Sequence, residues 1–170
     1  MGVEAFSIEW GERRDEVMRL YDLLTEDRRK IYPIAADSPA LAFNYCGNVS
    51  PEVVGPRRFE ELILPHYEEC AEVLHKRGKL MGVHLDANNW PFADAVARSS
   101  LDYVEAFTPP PTCDMSVADA RRVWPDKVLW ANLNLGCYRL PPEQLRAEVR
   151  AKLARAGRRG VVLGMSEDLP

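Results

Sequence analysis

Residues 79–86 read Lys79-Leu80-Met81-Gly82-Val83-His84-Leu85-Asp86 and decide the fold. The run is apolar, too short for a free-standing helix, and bounded by Gly78 before it and Asn88-Asn89 after it. It reads as a buried strand that ends in polar residues. Upstream, Phe59, Leu62, Ile63, Tyr67, Cys70, Ala71 and Leu74 form one helical stripe. Pro56 suits the first position of that helix, where its missing N–H costs nothing. Pro65 predicts a kink or a division, and Gly78 a stop.

The same alternation extends outward from this unit. Residues 40–46 predict a strand with a polar end, and residues 13–29 a helix closed by Pro33 and Pro39. Downstream come a short helix over 91–98 and a strand over 102–107. Ser116-Val117-Ala118-Asp119 has the form of a capping box opening a helix to Trp124. A strand follows over 127–132, then a helix from Pro142 to Gly157 with Leu145, Val149 and Leu153 on one face, and a last strand over 160–165. Strands alternating with helices imply right-handed crossovers and a parallel sheet in an α/β fold. Residues 1–170 read as a single domain, with residues 1–39 as an N-terminal helical segment.

Two architectures fit: an open doubly wound sheet, or about five βα units of a (β/α)8 barrel, which needs ~250 residues when whole. The chain opens on a helix and ends on a strand plus loop with no helix to cover it. That favours the partial TIM barrel. It also predicts exposed edges, and so a homo-oligomer or pairing with a missing barrel half.

Composition narrows the function. Of 170 residues, 22 are basic and 26 acidic, for a net charge of -4. Nucleic-acid binding normally shows a basic surplus, so that class is disfavoured. No apolar run approaches the ~20 residues of a membrane span, and the N-terminus lacks the features of a signal peptide. Four cysteines without a C-x-x-C pair suit free thiols in a cytoplasmic protein. No Gly-rich phosphate loop and no G-x-S-x-G elbow is present.

The candidate chemistry lies at the strand ends, where α/β folds bind ligands. His84 and Asp86 are two apart and would face one side. Imidazole with carboxylate suits a divalent metal such as zinc, or a general acid–base pair. A His merely hydrogen-bonded to a carboxylate fits the spacing too. Glu105 interrupts an apolar strand, so it must be paired, solvated or bound to a cation. It could complete a three-ligand metal cluster with His84 and Asp86, or form an ion pair with an arginine. Cys113 and Asp114 follow the proline run 109–111. Cys113 could be a thiolate ligand, although a packed thiol is the plainer reading. Asn44, Asn132 and Asn134 suit hydrogen bonds to a substrate carboxylate or carbonyl, and suit turns equally well. Ser166, Glu167 and Asp168 would sit at the same rim. His66 and His75 belong to helix packing.

The order of four segments resembles the uroporphyrinogen decarboxylase superfamily from about Asn44 onward. They are FEELILPHY (59–67), LHKRGKLMGVHLDANN (74–89), DYVEAFTPPPTCDMSVADARRVWPDK (102–127) and GVVLGMSEDLP (160–170). The resemblance implies a (β/α)8 barrel with its active site at the C-terminal mouth, of which this chain matches the second half. It is nearest to the branch that includes corrinoid-linked methyltransferases. There a zinc ion held through a His-x-Cys pair activates a methyl donor or acceptor, and Asp86 stands here in place of that Cys. By that resemblance a zinc near His84, Asp86 and Glu105 would serve C1 chemistry on a small-molecule substrate, with a corrinoid protein as partner. His84, Asp86 and Asn132 would be catalytic and Asp114 would face the cofactor. The alternatives are a metal-independent decarboxylase, a lyase acting on a carboxylated substrate, and a non-catalytic half-barrel or assembly subunit.

Overall fold

The computed structural model describes residues 2–165. Three helices lead the chain: α1 (Val3–Glu12), α2 (Arg14–Arg29) and α3 (Ile31–Asp37). All three lie within the helical segment expected over residues 1–39, in which the periodicity over 13–29 marks α2 with Pro33 as its stop. Pro33 instead sits in the first turn of α3, where no helical N–H is required.

Among the described residues five strands follow: β1 (Ala42–Tyr45), β2 (Leu80–His84), β3 (Tyr103–Phe107), β4 (Val128–Leu133) and β5 (Val161–Met165). All pair in parallel, in the order β1-β2-β3-β4-β5. A doubly wound sheet reverses its strand order at a switch point, and this one does not. Sequential order with right-handed crossovers puts every connecting helix on one face, the arrangement of a partial barrel. Those helices are α4 (Pro56–Arg58), α5 (Leu64–His75), α6 (Ala93–Arg98), α7 (Val117–Val123) and α8 (Pro142–Ala156).

Pro65 divides its helix as expected. The turn before it, Phe59–Ile63, widens to a π-helix that joins α4 to α5. Ser116 caps α7, its Oγ accepting from the Asp119 N–H at 3.1 Å. Glycines with positive φ close α5 at Gly78 and α8 at Gly157.

Alternation along the strands sorts the two faces. Met81, Val83, Val104, Leu129 and Ala131 are buried under the helices, in one core with Phe59, Tyr67, Leu74, Phe92 and Trp124. The opposite, inner face carries Asn44, Gly82, His84, Tyr103, Glu105, Trp130, Asn132 and Gly164. Gly82 is required there: a Cβ on it would lie 2.1 Å from Cε2 of Tyr103. Gly82→Ala must displace that ring. It is expected to destabilise the fold by about 1–3 kcal/mol, seen as a lower urea midpoint at unchanged slope.

The N-terminal ends of the strands are stapled by cations. Lys79 Nζ donates to the carbonyls of Ser38 and Ala40, both at 2.6 Å, ahead of β1. Lys127 Nζ repeats the device ahead of β3, on Ser99 (2.9 Å) and Leu101 (2.8 Å). Arg121 ties the carbonyl of Lys127, ahead of β4, to that of Gly160, ahead of β5. This end is built for stability and leaves the C-terminal ends for chemistry. Among the described residues, β1 and β5 pair on one side only. Apolar side chains of α2 and α3, including Leu23, Leu24 and Ile34, are exposed, as Val162 and Met165 are on β5. Among the described residues, no helix is long and apolar enough to cross a membrane.

Candidate active site at the strand ends

His84 closes β2 and is the register partner of Glu105 on β3. Their side chains share the inner face and meet: His84 Nδ1 lies 2.7 Å from Glu105 Oε2. The same carboxylate oxygen accepts from Asn44 Nδ2 of β1 at 2.9 Å. On the other side of the ring, His84 Nε2 lies 3.3 Å from Asp86 Oδ2. The two contacts are unequal. Glu105 is mostly buried and close, whereas Asp86 is half exposed and looser.

The carboxylate in the apolar strand is therefore paired, as its setting demanded, with a histidine and an amide rather than an arginine. The three predicted groups converge, but not as a three-ligand set. Glu105 and Asp86 hold opposite nitrogens of one imidazole, so they cannot join it around a single ion. Among the described residues, no group of three His, Cys, Asp or Glu side chains is arranged to hold a metal.

Burial is the largest influence on His84 and opposes its charge. The Glu105 hydrogen bond, the charges of Asp86 and Glu105, and the Asp86 hydrogen bond together outweigh it and raise its pKa above the usual histidine value. The proton is thus bound more tightly in the folded state. The stability it contributes is complete below the unfolded histidine value of about 6.5 and is lost as pH rises through the raised folded value. The unfolding free energy of the wild type, less that of His84→Gln, is expected to be larger at acidic pH than at mildly alkaline pH. Paired urea titrations across that range measure it; a difference that grows with pH would contradict it.

The remaining candidates fall into supporting places. Asp114 sits beside the start of a short helix. Its Oδ1 accepts the backbone N–H of Asn89 at 2.7 Å and of Trp90 at 3.4 Å, opening the short helix Trp90–Phe92. A carboxylate at a helix start is held there by unpaired N–H groups. Asn132 is buried, and its amide donates to Ala106 O and Thr108 Oγ1, both at 3.2 Å. Those donors are committed to the protein itself. Cys113 donates its thiol to Asp86 O at 3.0 Å. Burial, then the charges of Asp86, Asp114 and Glu52, raise its pKa, so it is held as a thiol. His75 bonds Asp102 at 2.8 Å and His66 meets Tyr21, both in helix packing. Residues 166–168 lie outside the described residues.

The sequence reading did not single out the aromatic floor. The Tyr103 ring lies across Gly82, and Trp130, 41% exposed, lies across Gly164, where a Cβ would come 2.7 Å from the indole nitrogen. The parity that groups His84 with Gly82 could have marked both rings. Asn44 Oδ1 is buried without a partner among the described residues. It leaves an acceptor beside the carboxylates. A cleft of about 610 Å³ between α2 and the β1–α5 edge holds none of His84, Asp86 and Glu105.

A search of curated proteins found no match. The family model described as uroporphyrinogen decarboxylase (URO-D) matches residues 2–170. The match takes in the N-terminal helices as well as the segments from Asn44 onward. On that coverage, together with a parallel sheet in barrel order, the chain belongs to the uroporphyrinogen decarboxylase family.

Proposed function

We propose that this chain contributes a carboxy-lyase site of the family's kind, in which His84 delivers a proton to carbon. One observation carries the reading: a single imidazole is bracketed by two carboxylates at the strand ends. Glu105, mostly buried and close on Nδ1, fixes the ring and favours its charged form. The Nε2 proton faces the looser, half-exposed Asp86, so Nε2 is the atom free to serve a substrate. In the step, the bond from carbon to carboxylate breaks and carbon dioxide leaves. The electron pair stays on carbon, spread into a conjugated system that the substrate carries. His84 Nε2 then gives its proton to that carbon, and solvent or Asp86 restores the proton. Tyr103 and Trp130 offer an apolar floor for a planar substrate body, and Asn44 Oδ1 an acceptor for an N–H or O–H group.

Decarboxylation of tetrapyrrole and smaller carboxylated substrates, assayed with a chelator present, tests this. Turnover insensitive to chelation and dependent on His84 supports it; no turnover, or turnover abolished by the chelator, overturns it.

A second reading is favoured by the Glu105 contact itself. Metal-bound histidines commonly present their other ring nitrogen to a carboxylate. In metal-assisted methyl transfer, His84 Nε2 and Asp86 would hold a zinc ion and Glu105 would orient the ring, with further donors from outside this set. A bound zinc supplies Lewis acidity toward a methyl donor or acceptor, and a corrinoid protein would be the partner. Metal analysis of the wild type and His84→Ala separates the two readings, because equal and negligible zinc in both counts against the second. In either reading the open edges at β1 and β5 are closed by a further barrel segment or a second copy of the chain.

A further inference from the structure

We infer that Asn132 and Asn134 form a two-amide clamp that positions Glu105 and Asp86 around His84, and that Asn132 is the positioning residue on which the Glu105 contact depends. The inference rests on His84 as the working residue of the site.

Strand parity breaks within β3. Tyr103 and Glu105 face the inner surface, and Val104 faces the helices. Regular alternation would put Phe107 on the inner face with Glu105. Instead Phe107 is fully buried and meets Trp124 edge-on, with ring centres 6.0 Å apart. The register between β3 and β4 shifts between Val104 and Phe107. Ala106 absorbs the change with φ +56°, a left-handed conformation that an alanine resists. If Ala106 relaxed to ordinary strand, either Glu105 would leave His84 or Phe107 would leave the core.

The Ala106 carbonyl receives two hydrogen bonds that hold this conformation. Thr108 Oγ1 donates to it at 2.9 Å and Asn132 Nδ2 at 3.2 Å. Thr108 and Asn132 are each 4% exposed, so water does not readily replace either donor.

The second amide acts on the loop that follows. Pro109, Pro110 and Pro111 have no N–H, so this stretch cannot bond through its own backbone donors. Asn134, just past the end of β4, reaches across with its Nδ2 to Pro109 O at 2.9 Å and Thr112 Oγ1 at 2.8 Å. Lys152 Nζ holds the Asn134 Oδ1 at 3.1 Å. The loop so fixed delivers Cys113 to the carbonyl of Asp86. One amide thus governs the acid on Nδ1 of His84, and the other the backbone of the acid beside Nε2.

The test is Asn132→Asp, which keeps the shape and removes the donor, with Thr108→Val as a milder variant that removes the other bond. The readout is the low-field proton NMR resonance of the proton held between His84 Nδ1 and Glu105, followed together with turnover. The wild type should show the resonance. Asn132→Asp should lose it and lower kcat by at least about tenfold, with KM little changed. Thr108→Val should weaken it, and Asn134→Ala should leave it in place. Absence of the resonance from the wild type, or its persistence in Asn132→Asp and Thr108→Val, overturns the inference. If the resonance behaves as stated while His84→Gln leaves turnover intact, the function reading falls and the clamp stands.

Discussion

His84→Gln is expected to lower kcat by about 10²–10⁴-fold, the range for removing a positioned general acid, with KM changed far less. Glutamine keeps a polar group of similar reach, so binding contacts in the pocket survive. It cannot hold and release a proton near neutral pH. The imidazole can, because Glu105 at 2.7 Å and Asp86 at 3.3 Å stabilise its charged form against burial. Steady-state decarboxylation rates, with chelator present, measure the effect. A fall in kcat of less than about threefold would remove His84 from the chemistry, well below what general acid catalysis supplies.

Trp124→Ala is expected to cost about 3–5 kcal/mol of stability. Trp124 is 1% exposed and follows α7. Its indole N–H donates to Ala93 O at 2.9 Å, and its edge packs on Phe107. Truncation leaves a large void and removes the indole hydrogen bond that ties Trp124 to the start of α6. For a domain of this size the melting temperature should fall by roughly 6–20 °C. Phe107 loses its partner at the bulge that aims Glu105, so the site should loosen as well. Thermal and urea unfolding measure this. A loss below about 1 kcal/mol, far under the usual cost of such a cavity, would show that Trp124 is not a keystone of the core.

The fold was legible because its signals are local. Short apolar runs ending in His84, Phe107 and Leu133 alternate with periodic helices. Pro56, Ser116 and Pro142 mark helix starts, and Gly78 and Gly157 mark stops. Strand order was not local. It needed the register of β1 through β5 to exclude the doubly wound alternative.

The convergence of His84, Asp86 and Glu105 was legible from spacing and from the cost of a bare carboxylate among apolar residues. The division of labour within that cluster was not. Which nitrogen each acid takes depends on the parallel pairing of His84 with Glu105, which no single strand reveals. Asn132 and Asp114 carry the right chemical groups for a ligand, but backbone groups across the fold already occupy them. The bulge at Ala106 escaped the reading because alanine gives no sign of a left-handed conformation.

The proposed chemistry depends on one imidazole held between two carboxylates. Titration of the His84 ring by ¹⁵N NMR, in the wild type and in Glu105→Gln, tests this most directly. The expected result is a wild-type pKa above the ordinary histidine value and a clear fall once the carboxylate charge is removed. A wild-type value at or below the ordinary one, unmoved by Glu105→Gln, would contradict the account.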